Sequence, residues 1–287
     1  MHIILTGATG TLGSQVLFCL LESRYASLEK IYLIVRKKKR VTPLERVQNM
    51  LDSASIPRFI KENKTGVLEK IVVIDAENLL HPSVFLDSNT SYYFIHSAGF
   101  VNLSVHPDSK DEIYEENLTL TQNIFNAYQH FVSKFIYIST AFSIGKLDGL
   151  LNNNYVDTEQ NEYRNFYEAS KHAAEKYLVK AGEAAKIPNQ ILRPSVIGGN
   201  IFENPNFFII PTDYAAQVIA KVFDTDVKQL NIVNSKGTNI FSGIAKILET
   251  VNFKSFQLTQ ELMDTASEFE STLEQFYYET IGVHLTP

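Results

Sequence analysis

Cysteine is almost missing from this chain of 287 residues: Cys19 stands alone, so no internal disulfide can form and the core must hold the fold. It lies in the apolar run Val16-Leu17-Phe18-Cys19-Leu20-Leu21, where a thiol is expected to pack as a small hydrophobe rather than act in redox chemistry. No apolar stretch approaches the roughly 20 residues of a membrane span. No cationic region with an apolar stretch precedes the first strand at His2, so a signal peptide is not expected. Excess positive charge is lacking too: 26 Lys and Arg against 32 Asp and Glu leave a net charge of −6, which argues against a nucleic-acid partner. Metal-ligand spacing is equally wanting, because His96 and His106 have no cysteine or acidic companion in helical register and no metal is expected. What remains is a cytoplasmic protein acting on small molecules, with a 45% hydrophobic composition able to fill one large α/β domain and a small appendage.

Short β-rich apolar runs alternate with longer amphipathic ones. His2–Thr6, Ile31–Val35, Ile71–Ile74, Tyr92–His96, Phe135–Ser139 and Gln190–Leu192 read as strands. Leu12–Tyr25, Pro43–Ala54, Glu112–His130 and Tyr163–Ala185 read as helices, with Pro43 suited to a first turn. This alternation predicts an α/β fold, a doubly wound parallel sheet of Rossmann type, whose strand C-termini frame the active site. After Pro194 the pattern weakens to a helix near Asp213–Phe223, a strand near Gln229–Val233 and helices near Ile240–Val251 and Glu268–Glu279. Phe207-Phe208-Ile209-Ile210 reads equally well as core or as a wall of a substrate pocket.

Gly7, Gly10 and Gly13 follow the first strand and open the first helix, the arrangement that lets backbone N–H groups approach a pyrophosphate. Thr9, Thr11 and Leu12 belong to the same turn. No Gly-Lys-Ser/Thr ending follows, so a P-loop is excluded. At the end of the second strand, where an NAD-selective fold places an acid on the ribose 2′-hydroxyl, stand Arg36 and then Lys37, Lys38, Lys39 and Arg40. NADPH is therefore expected over NADH, with Arg36 on the 2′-phosphate.

Tyr167 precedes Lys171 by one helical turn, which puts a phenol and an ammonium on one helix face. With Thr6-Gly7-Ala8-Thr9-Gly10-Thr11-Leu12-Gly13 and Ser139-Thr140-Ala141-Phe142, this run resembles the extended short-chain dehydrogenase/reductase superfamily. Within it the chain is similar to the fatty acyl-CoA reductase and thioester reductase branch, the male-sterility-like family, through Val35-Arg36, His96-Ser97-Ala98-Gly99-Phe100-Val101-Asn102, Asn117-Leu118-Thr119-Leu120-Thr121 and Leu192-Arg193-Pro194-Ser195. The resemblance spans roughly residues 1–222. It implies a catalytic set of Thr140, Tyr167 and Lys171, in which Tyr167 donates a proton, Lys171 lowers the phenol pKa and Thr140 bonds the carbonyl oxygen. It also implies cofactor contacts at Asp75, at Ser97, Ala98 and Gly99, at Ser139, and at Pro194, Ser195 and Val196. Asn117 is expected to bridge helix and strand.

The chain thus divides into an NAD(P)-binding domain over residues 1–200, carrying Tyr167 and Lys171, and a small substrate lobe over 201–287, continuous with the sheet. The resemblance implies an NADPH-dependent reductase of a small-molecule or carrier-bound acyl thioester or related carbonyl. The branch usually has a longer insertion after the sixth strand, so a small cap and a shorter acyl group are expected. The same residues also support a nucleotide-sugar epimerase or dehydratase, an alcohol dehydrogenase, or a catalytically silent NADP-binding regulator, although a silent regulator usually lacks the Tyr-Lys pair. A homodimer through the Glu112–His130 and Tyr163–Ala185 helices is an expectation by analogy.

Overall fold

A parallel sheet buried on both faces needs strands without a polar side, and that is what the short apolar runs become. The computed structural model describes residues 1–53, 56–147, 152–154, 162–197, 206–207, 209–233 and 238–239. In chain order the elements begin with β1 (His2–Thr6), α1 (Thr11–Ser23), β2 (Lys30–Val35), α2 (Pro43–Leu51), α3 (Arg58–Glu62), α4 (Lys64–Lys70) and β3 (Ile71–Asp75). They continue with β4 (Tyr92–His96), α5 (Lys110–Tyr114), a π-turn (Glu115–Thr119), α6 (Leu120–Tyr128), β5 (Val132–Ile138), α7 (Phe166–Ala185) and β6 (Asn189–Pro194). Last come β7 (Val196–Ile197), β8 (Asn206–Phe207), β9 (Ile209–Ile210), α8 (Thr212–Val222), β10 (Gln229–Ile232) and β11 (Thr238–Asn239).

Seven strands form the main sheet in the order β3-β2-β1-β4-β5-β6-β10, all parallel. This is the doubly wound parallel sheet that the alternation of elements predicts. The winding reverses between β1 and β4, where Thr6 lies beside His96, so a crevice opens at their C-terminal ends.

Alternate residues of each strand feed two cores. Ile3 and Leu5 point to the layer of α1 and α8, joining Val16, Leu17, Leu20, Ala216 and Ile219. Ile4, Phe94, Phe135 and Tyr137 point the other way, to Ile124 and Phe125 of α6 and Ala174 and Leu178 of α7. Each such side chain contributes about 1.5–3 kcal/mol when fully buried. Cys19 packs half-buried against the first core, and burial, with Glu22 and Asp213, pushes its thiol up.

Several elements differ from the sequence reading in their bounds. The helix expected over Glu112–His130 is interrupted by the π-turn, whose extra residue turns Asn117 into the protein, where it is buried. Helix α7 starts at Phe166 rather than Tyr163 because Asn165 caps it, accepting the Glu168 N–H at 2.9 Å. Helices α3 and α4 are too short to show a period in the sequence. β5 begins three residues early, at Val132. Beyond Pro194 the chain returns to the sheet: α8 packs on α1, and β10 pairs with β6. Ile210 enters the core, whereas Phe208 and the expected helices Ile240–Val251 and Glu268–Glu279 lie outside the described residues.

Candidate active site

The glycine turn is built by close approach. Gly7 has φ of +75°, and a Cβ there would meet Ala98 N at 2.7 Å, so the chain just after β4 passes directly against it. A Cβ on Gly13 would lie 2.1 Å from Gly7 O, which is how closely α1 sits on the end of β1. Gly10 caps α1 without any side-chain hydrogen bond, so the first amides of the helix face the crevice unsatisfied by a side chain. Gly10 and Thr11 are exposed, Thr9 and Leu12 half-buried. This cradle fits a dinucleotide pyrophosphate.

At its rim the structure holds a residue that sequence reading missed. Arg46, on α2, donates from Nη2 to Thr9 Oγ1 at 2.6 Å and from Nη1 to Arg36 O at 2.5 Å. Helix α2 is fixed there by a capping box between Thr42 and Glu45 with Pro43 in its first turn. The Arg36 side chain is 78% exposed and its guanidinium lies 3.7 Å from Glu116. Asp75, at the end of β3, accepts the Glu77 N–H at 3.0 Å and so caps the following turn.

Behind the crevice runs a directed hydrogen-bond chain. The π-turn leaves the Asn117 carbonyl to the Thr121 hydroxyl, which donates to it at 2.6 Å. Thr121 therefore accepts from His96 Nε2 (3.2 Å), and His96 Nδ1 accepts from the Thr6 hydroxyl (2.7 Å). Thr6 in turn accepts the Ala98 N–H at 3.2 Å. This neutral tautomer agrees with the titration of the ring, which burial and the Lys171 charge pull down to about 3. The Asn117 side chain clasps Phe100 through both its N–H (2.9 Å) and its C=O (3.0 Å), and donates to Ser170 Oγ (3.2 Å) on α7. Asn117 thus bridges the loop after β4 to α7.

On that helix Lys171 is buried, donates from Nζ to Ile138 O at 2.7 Å, and lies 4.1 Å from the centre of the Tyr137 ring. The ammonium is thereby held at the C-terminal end of β5, two residues before Thr140. Thr140 is buried, and its Oγ1 accepts the Phe142 N–H at 3.3 Å, which leaves the hydroxyl proton for another acceptor. His172 Nδ1 lies 2.8 Å from Ser143 O and joins α7 to the turn after Thr140. Burial pulls Lys171 down to about 7, opposed by Glu175. Burial and the Glu168 charge push the Tyr167 phenol up to about 12. This corrects one expectation: Lys171 is engaged by Ile138 and Tyr137, and the phenol is raised rather than lowered.

Residues 5–236 match the family described as "Male sterility protein". The chain belongs to that family. Fatty acyl-CoA reductase 1 of Mus musculus is 28% identical to it over 229 residues, 69% of this chain and 44% of the relative. The chain therefore spans less than half the length of the curated relatives it matches. The terminal R domain from the myxalamid PKS-NRPS biosynthetic pathway has the same fold, with a TM-score of 0.66 at 20% identity over 96% of this chain and 74% of that one. UDP-glucuronic acid 4-epimerase from Bacillus cereus, in complex with UDP-glucuronic acid and NAD, reaches 0.62 at 19% identity over 89% and 84%. The male-sterility match confirms the expected branch of the extended short-chain dehydrogenase/reductase superfamily.

In this member of the family the hydroxyl of Ser139, a residue expected on the cofactor side of β5, donates to Glu175. Ser97 and Ala98 run beside Gly7, and Gly99 follows them, exposed. Pro194 closes β6 in register with Ile232, Ser195 N donates to Ile232 O at 2.9 Å, and Val196 starts β7. Sequence reading missed Arg46, Glu175 and the Thr6–His96–Thr121 chain. Only Glu175 carried a local signal, one helical turn beyond Lys171. Among the described residues no helix is long and apolar enough to cross a membrane, and no group of His, Cys, Asp and Glu could hold a metal ion.

Proposed function

We propose that the protein is an NADPH-dependent reductase of an acyl thioester or related carbonyl. The observation that carries this reading is Lys171, whose ammonium donates to Ile138 O at the end of β5, two residues before Thr140, from the helix that carries Tyr167 one turn back. Bound cofactor supplies the hydride. Tyr167, raised to about 12, stays protonated at neutral pH and is the proton donor to the substrate oxygen. Thr140 donates its remaining hydroxyl proton to the same oxygen, and the Lys171 charge stabilises the developing oxyanion. With a thioester, hydride addition and the proton from Tyr167 give a hemithioacetal, whose C–S bond then breaks as the oxygen's proton passes to the departing sulfur, leaving aldehyde and thiol. The names of the reductase relatives support the acyl thioester as substrate class.

The glycine turn, with the amides of Thr11, Leu12 and Gly13, would hold the pyrophosphate, and the backbone of Ser97–Gly99 and of Pro194–Val196 would pass the riboses and nicotinamide. For the 2′-phosphate we assign Arg46 beside Arg36, because Arg46 already sits between the glycine turn and the end of β2. Residues 201–287 are assigned to substrate binding, although within them α8 and β10 also complete the main sheet and its helix layer.

The test is oxidation of NADPH with acyl-CoAs, acyl carriers, aldehydes and sugar nucleotides as substrates. Net NADPH consumption with thioesters supports the reading; turnover of a sugar nucleotide without net consumption replaces it with an epimerase. Arg36→Ala and Arg46→Gln should each weaken NADPH binding about 10–100-fold and leave NADH nearly unchanged, measured by nicotinamide fluorescence. Equal weakening of both cofactors removes the 2′-phosphate assignment.

A further inference from the structure

We propose that Glu175 is a positioning residue for the reduction: the buried counter-charge of Lys171 and, through Ser139, the clamp that holds the Thr140 turn against α7. Tyr167, Lys171 and Glu175 follow one another at i, i+4 and i+8, a single stripe of the helix. Glu175 is 1% exposed. Its Oε1 accepts from the Ser139 hydroxyl and from Arg193 Nε (3.1 Å), and its Oε2 from Arg193 Nε (3.0 Å) and Nη2 (2.7 Å). Arg193, itself 2% exposed, is anchored on Gln229 of β10 at 2.8 Å. Ser139 is tied to β6 by its N–H, which donates to Leu192 O at 2.8 Å. The carboxylate is thus fixed from two strands while lying one turn from the ammonium.

A buried ion pair seldom adds net stability over a well-packed apolar pair, so the Glu175–Arg193 pair calls for another role. Around Lys171 stand Tyr167 on its own helix, Tyr137 on β5, His96 on β4 and, beyond Glu175, Arg193 on β6. His96 and both tyrosines are neutral near pH 7. Among the described residues Glu175 is the carboxylate that acts on the ammonium, against its burial. Without it Lys171 would face neutral groups and an unpaired guanidinium.

The name of the reaction rests on the reductase reading; the charge coupling does not. Nitrogen-15 NMR of the lysine ammonium groups in the whole chain reads the coupling, with the Lys171 resonance identified by its loss in Lys171→Met. In Glu175→Gln the Lys171 titration should fall by at least about one pH unit, and Glu175→Asp should recover most of it. The alkaline limb of kcat/KM for thioester reduction should move with the resonance. Because Glu175→Gln strands Arg193, the double variant Glu175→Gln/Arg193→Gln serves if the single one does not fold, with a smaller shift in the same direction. A Lys171 titration unmoved in the folded variants overturns the proposal. Variants whose Lys171 titration shifts as expected, beside a wild type that reduces no thioester, count against the reductase reading alone.

Discussion

Tyr167 and His96 show how burial sets charge at single residues. Tyr167 keeps its proton because its surroundings disfavour the phenolate, which suits a donor in the reductive direction. Tyr167→Phe is therefore expected to cut turnover about 10²–10⁴-fold with NADPH affinity unchanged, measured by steady-state kinetics beside a binding titration; equal activity contradicts the assigned role. His96 is held neutral from both sides, with a folded value of about 3 against an ordinary 6.5. Below about 6.5 the unfolded chain takes up a proton that the folded one refuses, so the contribution is intact above that pH and is lost as pH falls towards 3. Between pH 7.5 and 5.5 the wild type should lose about 1.4 kcal/mol that His96→Gln does not lose, read from urea unfolding at the two pH values. Parallel losses in both proteins would show that His96 is not the group responsible.

At the scale of elements, the site is made by three junctions: α1 on β1, the π-turn on α7, and α7 on the end of β5. The first depends on the absence of a side chain. Gly13→Ala places a methyl 2.1 Å from Gly7 O, so α1 must lift; the expected cost is about 1–3 kcal/mol of stability together with loss of cofactor binding. Unfolding and nicotinamide fluorescence measure the two, and a Gly13→Ala variant that binds cofactor normally would remove the cradle argument. The π-turn was not legible in advance, because an extra residue in a turn leaves no mark in apolar spacing. Its effect appears only in three dimensions, where Thr121 takes the freed Asn117 carbonyl and passes the constraint to His96.

Taken as a whole molecule, the described residues 212–232, beyond Pro194, are part of the sheet layer. Helix α8 covers α1, and β10 occupies the edge of β6. A chain ending at Ile197 would expose both an apolar helix face and an unpaired strand edge. It is expected to aggregate and to unfold without cooperativity, by size-exclusion chromatography and urea titration. A monodisperse, cooperatively unfolding product would show that residues 1–197 stand alone.

The glycine turn, the strands and the Tyr167–Lys171 pair were legible because each is written in residues a few positions apart: glycine where side chains collide, apolar runs of strand length, one helical turn between phenol and ammonium. The seven strands of the sequence reading, the one near Gln229–Val233 included, all recur in the main sheet for the same reason. What only the tertiary structure decided joins residues distant in sequence. Arg46 meets Thr9 across 37 positions, Thr6 meets His96 across 90, and Glu175 meets Arg193 across 18. Such partners are chosen by which strand ends and helix faces the fold brings together, and by the need of every buried charge and polar group for a partner. Local spacing does not encode that choice.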